Sequence, residues 1–386
     1  MNQQTLLNIY EKLEGLIGRL PGPLQKAILR ELSPIKQIFL AQRPSNIGLL
    51  GQASSDASAV FSALLGGDLR MMDPQTSAGW FTYEQRGKGG FRVLDARRLN
   101  ETSLSWSALT GALSEDSPDL LLFLVNGTKP LDLGLECEQA ARVVDFVQHR
   151  HQTRVALIGV IDFPASVGSG EVESKRLELQ AWLSGQATLA PYFVKSVAIC
   201  SFARFRVDGT LDPERDERRN IDQLAEIITR ELPEEAQVEM ARLVKAKKTQ
   251  MDIAQRLIRS VTTICAAVGA QPIPLADFPI LTALQLAMVS GLMHLSGREL
   301  SMKAATEFFG AIGANIGVGM VLREGARAAV KLLPGWGNAI SGGVAAAGTY
   351  AIGKAASAYF IEGISMAEAR RIFRRKRPSN LPGGEG

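Results

Sequence analysis

The stretch Asn46-Ile47-Gly48-Leu49-Leu50-Gly51-Gln52-Ala53-Ser54-Ser55-Asp56-Ala57-Ser58-Ala59-Val60-Phe61-Ser62-Ala63-Leu64-Leu65-Gly66 decides the fold. Its first six residues form an apolar run that ends in glycine, as a buried parallel strand does. A polar loop follows, and residues 58–65 read as a helix. Further apolar runs at Phe91–Leu94, Leu120–Val125, Val155–Ile161 and Val194–Ile199 repeat the theme, with helical segments at 135–149, 171–184 and 220–232 between several of them. Strands alternating with helices predict a parallel α/β sheet. The exception is 80–94, where Gly87-Lys88-Gly89-Gly90 joins two strand-like stretches directly, so one edge of the sheet is expected to be antiparallel. A strand, a tight loop and a helix at the start of such a sheet are where a phosphate-binding loop belongs.

Residues 47–66 resemble the first motif of the Era-like (TRAFAC-class) GTPases, which reads roughly I-A-L-V-G-x-x-N-x-G-K-S-T-L-L-N-A-L-L-G. The frame aligns without a gap, and the closing Ala63-Leu64-Leu65-Gly66 is intact. The lead-in Leu20-Pro21-Gly22-Pro23-Leu24 with Arg43-Pro44 extends the likeness, which covers about 45–232. It implies a P-loop GTPase-like fold, a mostly parallel sheet with one antiparallel edge. Gly51 opens the loop, but the loop's second glycine is Asp56, a carboxylate that repels phosphate, and its lysine is Ala57. Ser58 keeps the hydroxyl of the Mg²⁺ position, although a serine there also reads as a helix N-cap. The D-x-x-G motif falls on Asp95-Ala96-Arg97-Arg98, with Arg98 in place of the glycine. The guanine-reading N-K-x-D falls on Gly159-Val160-Ile161-Asp162, which keeps only the Asp, and the S-A-K element falls near Cys200-Ser201-Phe202-Ala203. Micromolar binding needs about −8 kcal/mol, and the residues for it are missing. The resemblance therefore implies a pseudo-GTPase with no catalysis, no metal site and neither GTP nor Mg²⁺ as cofactor. The competing reading is an atypical GTPase that uses another cation, such as Lys88 or Arg97.

Residues 233–268 read as one connector helix, with Leu243, Met251, Ile253, Ala254, Leu257, Ile258 and Val261 on one stripe. Beyond it, residues 278–297, 308–322 and 332–353 carry no formal charge. The first and third reach the length needed to span a bilayer, although a packed helical domain fits them nearly as well. Gly310, Gly313 and Gly317 lie near one helical face, and Gly343, Ala347 and Ala351 repeat the small-x-x-x-small spacing that lets helices approach closely. Pro272-Ile273-Pro274-Leu275-Ala276-Asp277, and Leu333-Pro334-Gly335-Trp336-Gly337-Asn338 leading into Ala345–Phe360, are similar to the uncharacterised hydrophobic domain that follows Era-like GTPases in bacteria. That likeness implies an all-α, glycine-rich, membrane-associated domain.

The chain has 386 residues and a net charge of +4, but Arg370, Arg371, Arg374, Arg375, Lys376 and Arg377 alone supply six positive charges. A basic cluster beside an apolar domain favours anionic lipid and the cytoplasmic side of a membrane, against the plainer reading of solvated surface. No basic face bearing aromatic residues supports nucleic-acid binding. Three scattered cysteines exclude a disulfide framework. The N-terminus is an amphipathic helix over 1–20 followed by a helix over about 23–31, either a collar on the next domain or a partner-binding or membrane-surface element. The expected organisation is an N-terminal helical segment (1–43), a GTPase-like domain (44–232), a connector (233–268), a hydrophobic helical domain (269–365) and a basic tail (366–386). The expected function is a non-catalytic adaptor or assembly factor at the cytoplasmic face of a membrane. Its partners would be the membrane and a protein, either a membrane complex, an intact paralogue or a second copy. A soluble helical scaffold is the remaining alternative.

Overall fold

The computed structural model describes residues 22–31, 41–69, 79–85, 89–99, 105–270, 277–298, 302–312 and 337–376, with isolated positions at 11, 15, 18 and 36. Two compact units are present, one of Arg43–Ala246 and one of Met1–Gln42 with Lys247–Gly386.

The 43–246 unit is built on a six-stranded sheet. Its strands are β1 (Ser45–Gly51), β2 (Phe81–Gln85), β3 (Gly89–Asp95), β4 (Leu120–Asn126), β5 (Ala156–Asp162) and β6 (Phe193–Ile199), in the order β2-β3-β1-β4-β5-β6. All neighbours are parallel except β2 and β3, the antiparallel edge that the glycine-rich turn predicts. Strands buried on both faces need apolar residues at every position, and successive side chains divide between two cores. Ile47, Leu49, Leu122 and Ile158 face one core, against the helices α2 (Ala57–Leu65), α6 (Ile221–Glu231) and α7 (Glu234–Leu243). Leu50, Leu121, Phe123 and Ile161 face the other, against α3 (Trp106–Glu115), α4 (Gly134–His151) and α5 (Ser169–Gly185). The label α1 belongs to Gly22–Glu31 in the second unit. Because α2 leaves β1 to one side and α4 leaves β4 to the other, a crevice opens beyond the C-terminal ends of these strands.

A second hairpin, β7 (Ala203–Phe205) with β8 (Leu211–Asp216), stands between β6 and α6. Its tip is bonded to the chain after α2, through a bridge between Gly67 and Thr210 and through Asp68 N donating to Gly209 O. The sequence reading passed over it, although Asp208-Gly209 is a turn signal: Gly209 takes φ +77° and Asp208 Oδ1 accepts from Thr210 N.

The second unit is helical: α1, α8 (Lys247–Gly269), α9 (Asp277–Leu295), α10 (Met302–Ile312), α11 (Gly337–Ser357), a π-turn (Ala358–Glu362) and α12 (Met366–Lys376). The stretch expected as one connector is two helices, α7 and α8, which belong to different units and are separated by 244–246, where Lys245 has φ +53°. Among the described residues no helix is long and apolar enough to cross a membrane. The uncharged run 278–297 is instead α9, whose Leu284, Ala287, Met288, Val289 and Leu292 are fully buried and whose His294 pairs with Gln42 at 3.2 Å. Close helix packing is present, but at other glycines than expected. A Cβ on Gly342 would come within 2.8 Å of Ala266 O, and one on Gly353 within 2.8 Å of Ile258 Cγ1, so α11 lies directly against α8. Among the described residues a Cβ on Gly310 or Gly343 would meet nothing within 4 Å, while Gly313 and Gly317 lie outside the described residues.

Candidate functional site

β1 ends on Gly51, which takes φ +96°, and a Cβ there would sit 2.3 Å from Leu124 O on the neighbouring strand. Only glycine fits, so the chain turns sharply into the loop 52–56. The loop closes on itself. Gln52 N donates to Leu124 O, Ser55 N and Oγ both donate to Gln52 O, and the Gln52 side chain accepts from Asn126 N at 3.0 Å. The helix cap is Asp56, not Ser58: Asp56 Oδ1 accepts from Ala59 N at 2.9 Å. This is the site where a helix N-terminus would otherwise receive an anion. Ala57 is buried as the first residue of α2.

Beneath the loop lies a cation. Arg97 forks onto Asp95 at the end of β3, with Nε to Oδ1 at 2.9 Å and Nη2 to Oδ2 at 2.6 Å. Its Nη1 donates to the carbonyl of Ser55 at 2.5 Å and to its Oγ at 2.9 Å. Arg97 is the cation weighed as a lysine substitute, and it is fastened to the loop from below. Lys88, the other candidate, lies outside the described residues.

A cavity of about 730 Å³ opens beyond the C-terminal ends of β1, β4, β5 and β6. Asp56 and Ser58 line it from the loop side, Asn126 and Thr128 from β4, Asp162 from β5 and Ser201 from β6. Gly51, Ala57, Asp95 and Arg98 do not line it. Asp162 is held from two directions, with Oδ1 accepting from Ser201 N at 2.9 Å and Oδ2 from Ser201 Oγ at 2.6 Å. Phe163 and the half-exposed Phe202 and Phe205 add aromatic walls. The sequence reading quoted Phe202 only within the S-A-K element and missed Phe205, which belongs to the overlooked hairpin. It also missed Asn126, whose signal is an Asn-Gly-Thr turn after an apolar strand: Asn126 Oδ1 accepts from Thr128 N and Oγ1.

Burial raises the pKa of Asp162 above the ordinary carboxylate range, partly offset by the Ser201 hydrogen bonds, and the Asp56 charge adds to the rise. The raised value favours the folded state at low pH, and that contribution is lost as pH rises through the folded pKa. A ligand that donates hydrogen bonds to the carboxylate should behave oppositely. Its affinity is expected to fall on acidification before pH reaches the usual Asp value of about 4, as read by titration calorimetry between about pH 4 and 7. In Asp162→Asn the pH dependence should flatten. An unchanged profile would remove Asp162 from the binding surface.

No protein-family model and no curated protein matches the chain. Solved structures do. LeoA, a bacterial dynamin GTPase from ETEC, matches at 16% identity and a TM-score of 0.36, over 86% of this chain and 58% of its own. Toc33 from Arabidopsis thaliana, in complex with Mg²⁺ and GMPPNP, matches at 14% identity and a TM-score of 0.34, over 60% of this chain and 95% of its own. A structure titled as an oligomerised bacterial dynamin pair, described as sensing and tethering membranes, matches at 11% identity and a TM-score of 0.34, over 97% of this chain and 78% of its own. The 43–246 unit has the P-loop GTPase fold, as its strand order, single antiparallel edge and loop position show. These matches concern fold, and none singles out the Era-like branch. The expectation of a chain that is no enzyme and takes neither GTP nor Mg²⁺ stands corrected to this extent: the structures it resembles are of a GTPase and of a complex with Mg²⁺ and a guanine nucleotide analogue. The chain spans 58% of the length of the dynamin GTPase it matches.

Proposed function

We propose that the protein is an atypical guanine-nucleotide-binding protein, a slow GTPase with a divergent phosphate loop, that works at a membrane surface. The observation that carries this reading is the single cavity in which the loop residues Asp56 and Ser58 meet the base-end pair Asp162 and Ser201. Its size suits a nucleotide, since ligand pockets run to about 300–1,000 Å³. At the base end, a carboxylate held by two donors offers its remaining lone pairs to a neighbouring pair of N–H donors, the edge that guanine presents and adenine does not. Phe163 and Phe202 supply apolar surface for a planar ring.

The phosphate end is different. Among the described residues no lysine or arginine lines the cavity, and Asp56 adds a negative charge. Carboxylate and hydroxyl oxygens are the donors that Mg²⁺ takes, usually one or two from the protein with the rest from water and phosphate. Among the described residues no group of three or more His, Cys, Asp or Glu is placed to hold a metal unaided. Asp56 and Ser58 therefore fit Mg²⁺ that arrives with the nucleotide, and the ion supplies the positive charge that the loop lacks. Asp56 orients that end, while Asp162 and Ser201 select the base.

Two consequences distinguish this from an ordinary GTPase. Arg98 replaces the glycine that senses the γ-phosphate, so GTP and GDP should bind with similar affinity. Binding should also need Mg²⁺. Calorimetry on the full chain is expected to give a Kd of about 10 μM, near −7 kcal/mol, for both nucleotides with Mg²⁺, weaker binding of ATP and none in EDTA. Asp162→Ala should abolish the preference for guanine. No heat with any nucleotide at about 1 mM would overturn the reading.

A further inference from the structure

The basic tail begins with a well-defined helix. Ser365 and Glu368 form a reciprocal capping box, with Ser365 N donating to Glu368 Oε2 at 3.0 Å and Glu368 N donating to Ser365 Oγ at 3.3 Å. This fixes where α12 starts and therefore which side chains share a face. The apolar face is already covered: Ala369 is 0% exposed and Phe373 only 7%, and α12 packs on α10 and α11. On the other side Arg370, Arg371, Arg374 and Arg375 are exposed, two pairs four residues apart that form one stripe. Arg370 also reaches back to cap the last turn of α10, its Nε donating to Ala311 O. Lys376 is exposed too, and Arg377 lies outside the described residues.

A membrane-binding amphipathic helix normally gives its apolar face to the acyl region and its cations to the headgroups. In α12 the apolar face is unavailable, because Ala369 and Phe373 are part of the helical unit's own core. Of the large apolar side chains in the basic run, Ile372 is half-buried and Phe373 buried, so charge dominates what α12 has left to bind with. We propose that α12 docks the protein on an anionic phospholipid bilayer through its arginine stripe alone, with no side chain entering the acyl layer. This rests on the membrane half of the proposed function and names the element and its mode. The charge balance fits such a surface, since α12 carries five cations against one carboxylate, Glu368, which is held at the helix start by Ser365. Guanidinium groups are matched to phosphate oxygens. A nucleic acid fits less well, because Phe373, the aromatic inside the basic run, is buried and cannot stack on a base.

The test is co-sedimentation of the full chain with vesicles of phosphatidylcholine alone and with about 30 mol% phosphatidylserine added. Binding is expected only to the anionic vesicles, falling by about fivefold for each cation removed and vanishing by about 0.5 M salt. It should be equal on small and large vesicles of one composition. Arg374→Lys with Arg375→Lys should retain binding, whereas Arg374→Glu with Arg375→Glu should lose it, with the melting temperature of both variants unchanged. Binding that survives salt or prefers small vesicles would mean insertion and would overturn the mode while leaving the membrane reading intact. No binding to any vesicle would overturn both. A single-stranded oligonucleotide that binds as tightly as the anionic vesicles would transfer the stripe to nucleic acid and overturn the proposal.

Discussion

Arg97→Ala is expected to lower the stability of the 43–246 unit by about 3 kcal/mol, a drop of about 10 °C in melting temperature. The Arg97 side chain is 7% exposed and that of Asp95 17%, so the pair is largely withdrawn from water. Removing the arginine strands the Asp95 carboxylate and takes two donors from Ser55, one from its carbonyl and one from its hydroxyl. A buried charge left without its partner costs far more than the pair contributes when intact. Asp95→Asn in the same chain should therefore recover part of the loss, and a double-mutant cycle measures how much. A change under about 1 kcal/mol would show that the staple contributes little. The nucleotide reading adds a second outcome, because the loop that carries Asp56 and Ser58 loses its support from below and affinity should fall together with stability.

Gly51→Ala is expected to be at least as damaging. Two costs add at this position. The backbone φ of +96° is one that an alanine takes at a penalty of about 1–2 kcal/mol. The new methyl would also sit 2.3 Å from Leu124 O, a main-chain atom of the paired strand that cannot rotate away. Overpacking of this kind costs about 1–3 kcal/mol, for a total of about 3 kcal/mol or more. In urea the midpoint should shift without a change in slope, as expected for a destabilised native state with an unchanged unfolded chain. A variant within about 0.5 kcal/mol of the parent would mean that β1 and β4 separate easily at their ends.

Much of this unit was legible in its sequence because parallel strands buried on both faces leave dense apolar runs. Leu120–Val125 and Val155–Ile161 are such runs, and the glycine turn before Phe91 marks the one antiparallel edge. Gly51, Asp95 and Asp162, which the motif frames single out, are the last residues of β1, β3 and β5, and Ser201 lies two residues beyond β6. What stayed hidden depends on contacts between distant residues. Arg97 and Ser55 are 42 positions apart, and nothing local to either announces the staple. Asp56 read as a lost glycine rather than as a cap, because a chain alone does not reveal which side chain will turn back onto α2. The glycines of α11 show the same limit: their spacing signals close packing, but the face that meets α8 is chosen by the bundle. Gly342 and Gly353 lie on it, and Gly343 does not.

The β7–β8 hairpin also bears on the order in which the chain acquires its structure. The last turn of α2 is completed from far downstream, since Arg218 Nη1 donates to Ala63 O across 155 positions and Asp68 N donates to Gly209 O. β1, β3 and β4 can pair while the ribosome is still adding later residues, but Ala63 O at the end of α2 receives its Arg218 donor only once residue 218 has emerged. Closing a loop of that length is slow compared with local helix formation. Nascent chains stalled before and after residue 218 should therefore differ sharply in protease resistance at 63–68, and α2, first in the sequence reading, should be among the last elements to become secure.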